Sequence, residues 1–262
     1  MIIRIDNLEV RYDNKPPALA IDRLEIVSAE RLAIIGPSGG GKTTLLRCLK
    51  GYLKPTRGKI EVMGCDLYSA HSKQRNLINQ QIGFIYQQFY LAPRLSVLQN
   101  TLCGRLGVAS PWRSLLGLFS AEDRRIAWSA LCEVGLEQLA HQQTSKLSGG
   151  EQQRVAVART LAQQPSIILA DEPISSLDPL RAEAVLELMT SVQTHHEATL
   201  VMSLHQPHLA IRFAQRIIGL HNGRVVFDGH ANKLKQSSRL ASIYHGEKII
   251  NFDYTSALSG TP

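Results

Sequence analysis

Residues 31–43, Arg31-Leu-Ala-Ile-Ile-Gly-Pro-Ser-Gly-Gly-Gly-Lys-Thr43, decide how this chain folds. Residues 36–43 fit the phosphate-loop pattern G-x-x-x-x-G-K-S/T. The run before them is short, apolar and β-prone, and the run from Thr43 to Leu49 suits a helix, so the motif sits between a strand and a helix. Gly36, Gly39, Gly40 and Gly41, around Pro37 and Ser38, let successive backbone N–H groups turn inward around phosphate oxygens. The helix N-terminus, from Lys42 through Thr44, adds a partial positive charge at the same place. Lys42 is expected to reach the β- and γ-phosphates and Thr43 to hold Mg2+. The stretch therefore predicts a site for a nucleoside triphosphate.

A rival reading uses the same residues. Gly36-Pro-Ser38-Gly-Gly40 also fits G-x-S-x-G, the nucleophile elbow of α/β hydrolases, and Asp178 and His205 follow in the required order. An elbow gives no role to Gly41, Lys42 and Thr43, nor to the motifs further along.

Composition narrows the class. The chain of 262 residues is long enough for one α/β domain with a full core. No apolar run approaches the length that spans a bilayer, and the opening Met-Ile-Ile-Arg-Ile-Asp6 lacks a signal-peptide core, which predicts a cytoplasmic protein. Cys48, Cys65, Cys103 and Cys132 are scattered without a C-x-x-C pair, so reduced and mostly buried thiols are expected rather than a zinc or redox motif. A net charge of +7 can mean nucleic acid, anionic lipid or only solubility; the basic residues are dispersed rather than clustered, which fits work near an anionic surface, and no nucleic-acid partner is expected.

Outward from the loop, residues 2–12 and 19–35 read as β-structure joined by a turn at Asp13–Pro17. Residues 58–64 read as another strand, 71–81 as a polar helix and 82–86 as a short strand. From about 88 to 145 the β-signal fades. Within that stretch a helix is expected over 121–139, from Ala127, Ala130, Leu131 and Val134 at helical spacing and Glu122 and Asp123 in the first turn. Beyond it, 166–170 reads as a strand, 179–193 as a helix opened by Pro179, and 199–204 as a strand. Residues 217–227 read as a hairpin turned by Asn222-Gly223 in type I′ geometry. The remaining tail carries no chemical signature.

Two further motifs carry chemistry. The strand Ser166-Ile-Ile-Leu-Ala170 delivers Asp171 and Glu172 at its C-terminal end, where open α/β sheets bind ligands. Asp171 is expected to hold Mg2+ and Glu172 to orient or deprotonate an attacking water. Leu147-Ser-Gly-Gly-Glu151 precedes a helix over 152–163. Ser148 and Glu151 form a capping box there, while Gly149 and Gly150 leave an anion-binding helix terminus. His205, His208 and the pair His195-His196 show no spacing that fits a structural metal.

Together, Gly36–Thr43, Leu147–Glu151, Asp171-Glu172 and His205 resemble an ATP-binding-cassette (ABC) ATPase over about residues 1–230. Leu147–Glu151 is similar to that family's signature L-S-G-G-Q, with Glu151 in the fifth place. The resemblance implies an α/β fold with a P-loop NTPase (RecA-like) core, an N-terminal antiparallel β subdomain and a helical insert at about 88–160, followed by a tail at 231–262. It implies that Tyr12 stacks on adenine, that Gln87 contacts the metal and catalytic site, that Ser175–Asp178 forms the D-loop and that His205 is the switch histidine. It implies ATP and Mg2+ as cofactors and a homodimer sandwiching two ATP molecules, with Ser148, Gly149, Gly150 and Glu151 acting on the partner's ATP.

Gln87-Gln-Phe89, Arg94–Leu98 and residues 100–123, including Trp112–Phe119, resemble the ATPase subunits of bacterial phosphonate importers. That resemblance implies a peripheral protein at the cytoplasmic face of the inner membrane. Its partners would be a polytopic permease and, indirectly, a periplasmic solute-binding protein. Importers of phosphite or phosphate, or a soluble ABC ATPase accompanying phosphonate-degrading enzymes, are the alternatives.

Overall fold

The β-structure expected over 19–35 is two strands, and the break between them sets the architecture. In the computed structural model, described for residues 1–12, 16–108, 117, 119–235 and 237–245, β1 spans Ile3–Val10, β2 Leu19–Ile26 and β3 Arg31–Ile35. Ala29, at φ 58°, turns the chain between β2 and β3. β2 stays in an antiparallel sheet with β1, β4 (Arg57–Val62) and the short β5 (Cys65–Asp66), in the order β2-β1-β4-β5. β3 enters a six-stranded sheet with β6 (Ile82–Ile85), β7 (Ile167–Asp171), β8 (Thr199–Ser203), β9 (Arg216–His221) and β10 (Arg224–His230). Its order is β10-β9-β3-β8-β7-β6; all neighbours pair parallel except the β9–β10 hairpin. Asn222 and Gly223 both have positive φ, 46° and 74°, as a type I′ turn requires.

Why β3, β7 and β8 read as unbroken apolar runs is plain from their burial. Leu32 and Ile34 of β3 face one core with Ile167, Leu169 and Val201, against Leu45, Leu46 and Leu49 of α1 (Lys42–Lys50) and the antiparallel sheet. Ala33 and Ile35 face the other core with Ile168, Ala170, Leu200 and Met202. A parallel sheet covered on both faces needs apolar side chains at every position. Each large aliphatic buried this way contributes about 1.5–3 kcal/mol.

Between β5 and β6 runs α2 (Ser72–Gln80). Between β6 and β7 lie α3 (Val97–Leu102), α4 (Ala121–Glu133) and α5 (Gly149–Ala162). The helix expected over 121–139 stops at Glu133 because Gly135 takes φ 67°. α5 starts earlier than the expected 152, with Ser148 as its N-cap. α6 (Pro179–His196) outruns the expected end at 193, and α7 (Pro207–Phe213) and α8 (Ser237–His245) follow β8 and β10. Residues 112–116 and 118 of the Trp112–Phe119 segment, and 13–15 of the expected turn, lie outside the described residues. The expectation of mostly buried thiols needs correction. All four cysteines are free, but only Cys48 is buried; Cys65 and Cys103 are half-buried and Cys132 is exposed on α4.

Buried Arg105 locks these helices together. Its Nε donates to Asp123 at 2.9 Å, and Nη1 donates to the Ala162 carbonyl at 3.0 Å and to Gln164 at 3.2 Å. Asp123 also accepts from Ser120 to cap α4. Removing one partner of a buried pair leaves the other charge uncompensated. Arg105→Ala is therefore expected to lower unfolding free energy by about 3–5 kcal/mol, read from the urea midpoint at unchanged slope.

Candidate functional site

Four neighbouring parallel strands end at one level, and their C-terminal ends carry the expected motifs. Ile34 of β3 pairs with Ser203 of β8, Ser203 with Asp171 of β7, and Ala170 with Ile85 of β6. The phosphate loop thus leaves β3 beside His205, which follows β8, and Asp171-Glu172, which closes β7. Gln87 follows β6 and is exposed.

Gly36 has φ 148°, and a Cβ there would sit 2.0 Å from the Leu220 carbonyl oxygen, so only glycine lets the loop pass. The Asn222-Gly223 turn supports the loop from outside, with the Gly223 N–H donating to the Gly40 carbonyl at 3.1 Å. α1 opens at Gly41 with no side-chain cap, so its first-turn N–H groups keep their capacity for an anion. Lys42 is buried, and its Nζ donates to the carbonyls of Gly36 at 2.9 Å and Pro37 at 3.0 Å. Burial lowers its ammonium pKa, against the opposing pull of Glu172 and Asp171.

Asp171, itself buried, accepts from Thr43 Oγ1 at 3.0 Å and from Ser203 Oγ at 2.8 Å. Ser203 Oγ in turn accepts from the Glu172 N–H at 2.8 Å. One hydroxyl therefore positions both acidic residues. Glu172 takes φ 47°, a left-handed conformation held by that bond, and its carboxylate is hydrogen-bonded to His205. Tyr244 of α8 donates to the His205 carbonyl at 3.1 Å, so the tail meets the site's rim. The hydroxyl of Thr43 and the carboxylate of Asp171 are hard oxygen donors, the set that suits Mg2+.

Tyr12 is exposed, just beyond β1. The Val10 carbonyl accepts from the Ala18 N–H, and Ala18 borders both Gly41 and Gly223, so the end of β1 lies beside the loop. At the other motif, Ser148 and Glu151 form both halves of the capping box, with Glu151 Oε2 accepting from Ser148 N and Oγ at 2.7 Å each. Those bonds hold the Glu151 carboxyl below the usual carboxylate range. Asp178 caps α6 by accepting from the Arg181 N–H, and the Arg181 side chain lies against Gly150. The elbow reading fails here: Asp178 caps a helix and His205 bonds Glu172 rather than Ser38.

Two contributors escape the motifs. Ser203 is the polar end of an apolar strand, a signal visible in Thr199-Leu-Val-Met-Ser203 but not specific by itself. Arg159 of α5 donates to the carbonyls of Tyr90 at 2.7 Å and Phe89 at 2.9 Å, tying the signature helix to the loop that carries Gln87.

This layout is that of a P-loop cassette, and the comparisons agree. The ABC transporter family model matches residues 20–175. The chain is 45% identical over 240 residues to a phosphonates import ATP-binding protein of Pseudomonas aeruginosa, covering 90% of this chain and 86% of the relative. It is 40% identical over 248 residues to the corresponding Shigella dysenteriae protein, covering 93% and 94%. Among solved structures it is similar to the dimeric post-hydrolysis state of the ATP-binding cassette MJ0796 bound to ADP and Pi, at TM-score 0.74 and 32% identity, covering 88% of this chain and 99% of that one. The chain belongs to the ABC transporter family, as an ATP-binding cassette.

Ser203→Ala removes the bond that fixes Asp171 and Glu172 while leaving the phosphate loop intact. We expect kcat for ATP hydrolysis to fall about tenfold, the equivalent of one lost hydrogen bond to a charged group, with ATP affinity within about twofold of wild type. Steady-state turnover and nucleotide-binding titrations read the two effects separately.

Proposed function

We propose that this chain is the ATP-hydrolysing subunit that energises phosphonate import across a bacterial inner membrane. The observation carrying the reading is the convergence of Lys42, Thr43, Asp171, Glu172 and His205 at one sheet edge. The substrate class rests on relatives named for phosphonate import that align over nine-tenths of the chain or more.

In this reading Gly36–Thr44 wrap the phosphates, Lys42 compensates the β–γ charge and Tyr12 stacks on adenine. Thr43, Asp171 and Gln87 hold Mg2+, which when bound neutralises charge on the phosphate oxygens. Glu172 accepts the proton of the attacking water. His205, bonded to Glu172, holds that carboxylate in place and faces the γ-phosphate. Two copies face head to tail, and each ATP is closed in by the partner's Ser148, Gly149 and Gly150. Closure is driven by contacts made only in the dimer, so loss of the γ-phosphate reverses it.

Residues 1–230 act as one nucleotide-binding unit, with 88–160 as the arm that meets the permease. Arg159 is the mechanical link, since it joins the signature helix to the Gln87 loop. Beside that loop a groove of about 480 Å3, lined by Tyr52, Phe84, Tyr86, Tyr90 and Arg159, offers the permease an aromatic seat. No helix among the described residues is long and apolar enough to cross a membrane; in this reading a polytopic permease supplies the membrane-spanning part.

Glu172→Gln is expected to bind ATP, to lose turnover at least about a hundredfold and to accumulate a dimer in ATP by size-exclusion chromatography. Near-normal ATPase in that variant defeats the catalytic assignment. For the solute, ATPase is measured in proteoliposomes with the permease and its binding protein. Stimulation by methylphosphonate but not by phosphate supports the assignment, and the reverse preference removes it.

A further inference from the structure

Far along the chain from the phosphate loop, Glu133, His195 and His196 bring metal-capable donors together. Glu133 ends α4; His195 and His196 end α6. His195 Nδ1 lies 2.7 Å from Glu133 Oε1, and His196 Nε2 lies 2.9 Å from Oε1 and 3.0 Å from Oε2. One donor atom from each residue falls within 4.8 Å of the others. The imidazole rings are 4.9 Å apart and tilted by 58°, so they converge on the carboxylate rather than stack.

We propose that Glu133, His195 and His196 form a binding site for a divalent transition-metal ion of the zinc type, bridging the end of α4 to the end of α6. Tetrahedral ligands about 2.0–2.2 Å from such an ion lie roughly 3.3–3.6 Å from one another, so the Glu133 carboxylate and each imidazole, now 2.7–3.0 Å apart, separate by roughly half an ångström as the ion enters. The donor set of two imidazole nitrogens and one carboxylate selects zinc, nickel or copper over magnesium or calcium. Each imidazole presents the required lone pair toward Glu133 when its proton sits on the outer ring nitrogen. Side-chain exposures of 74% for His195 and 43% for His196 leave the ion an entry path and room for water in the remaining positions.

The site has a structural consequence. α4 lies between β6 and β7, and α6 runs between β7 and β8 from Asp178 at its other end. A bound ion cross-links the two helices and adds its binding free energy to the folded state, since the three ligands meet only there.

The test is calorimetric titration of the full-length, tag-free chain with zinc chloride at neutral pH, without nucleotide or magnesium. One ion per chain with a micromolar dissociation constant is expected, weakened at least about tenfold in the His195→Ala/His196→Ala double variant and in Glu133→Gln. Zinc should also raise the thermal midpoint of wild type but not of these variants, whose midpoints in EDTA report that they fold. The single variant His195→Ala, at the most exposed ligand, is the fallback should the double variant unfold. Cobalt absorption with d–d bands and no thiolate charge-transfer band separates this site from the adjacent Cys132. Unchanged binding in the histidine variants, a thiolate band, or no binding tighter than millimolar overturns the proposal.

Discussion

The structure turns on the register of β3, β8 and β7. Because Ile34, Ser203 and Asp171 lie on one line across the sheet, the ends of these strands are level. The phosphate loop, the acidic pair and His205 then have no choice but to meet. In that line the Ser203 hydroxyl both donates to Asp171 and accepts from the Glu172 backbone. A slip of one residue would reverse every side chain of the slipped strand between the two cores, so the hydrophobic faces enforce the catalytic alignment. Site precision is here a by-product of core packing.

How much of this was legible beforehand follows from what carries each signal. The phosphate loop, Asp171-Glu172, the capping box and the Asn222-Gly223 turn are local. Their chemistry is written in adjacent residues, and each is found where the sequence puts it. The break at Ala29 was not legible, because nothing in Ile26–Arg31 marks a left-handed alanine, and it matters because it sends β2 and β3 to different sheets. Helix ends were missed for a similar reason: Gly135 ends α4 through its backbone angle, while apolar spacing continues to Leu136 and beyond.

Non-local contacts were the least visible. Arg105 reads as one more dispersed basic residue, yet it is buried and joins Asp123 to the carbonyl of Ala162. His195 and His196 read as a pair without metal-ligand spacing, since Glu133 lies 62 residues from His195. Spacing rules find ligands that share an element, whereas this cluster is assembled by the packing of α4 and α6 ends. Arg159 escaped for the same reason, its partners Phe89 and Tyr90 being about seventy residues away in sequence.

Glu151 shows how a local motif shapes a shared one. A glutamate in the signature puts a negative charge beside the terminus that the proposed dimer would offer to a phosphate. The geometry disposes of much of that conflict: Oε2 takes both the N–H and the hydroxyl of Ser148, so the charge is turned back and held by its own cap. The cost is that the Ser148 hydroxyl proton is already committed. What remains for an incoming anion is the backbone N–H groups of Gly149 and Gly150, with Arg181 packed against Gly150 to offset the residual charge. In the proposed dimer, the backbone donors of Gly149 and Gly150 would then meet the partner's phosphate beside the capped Ser148.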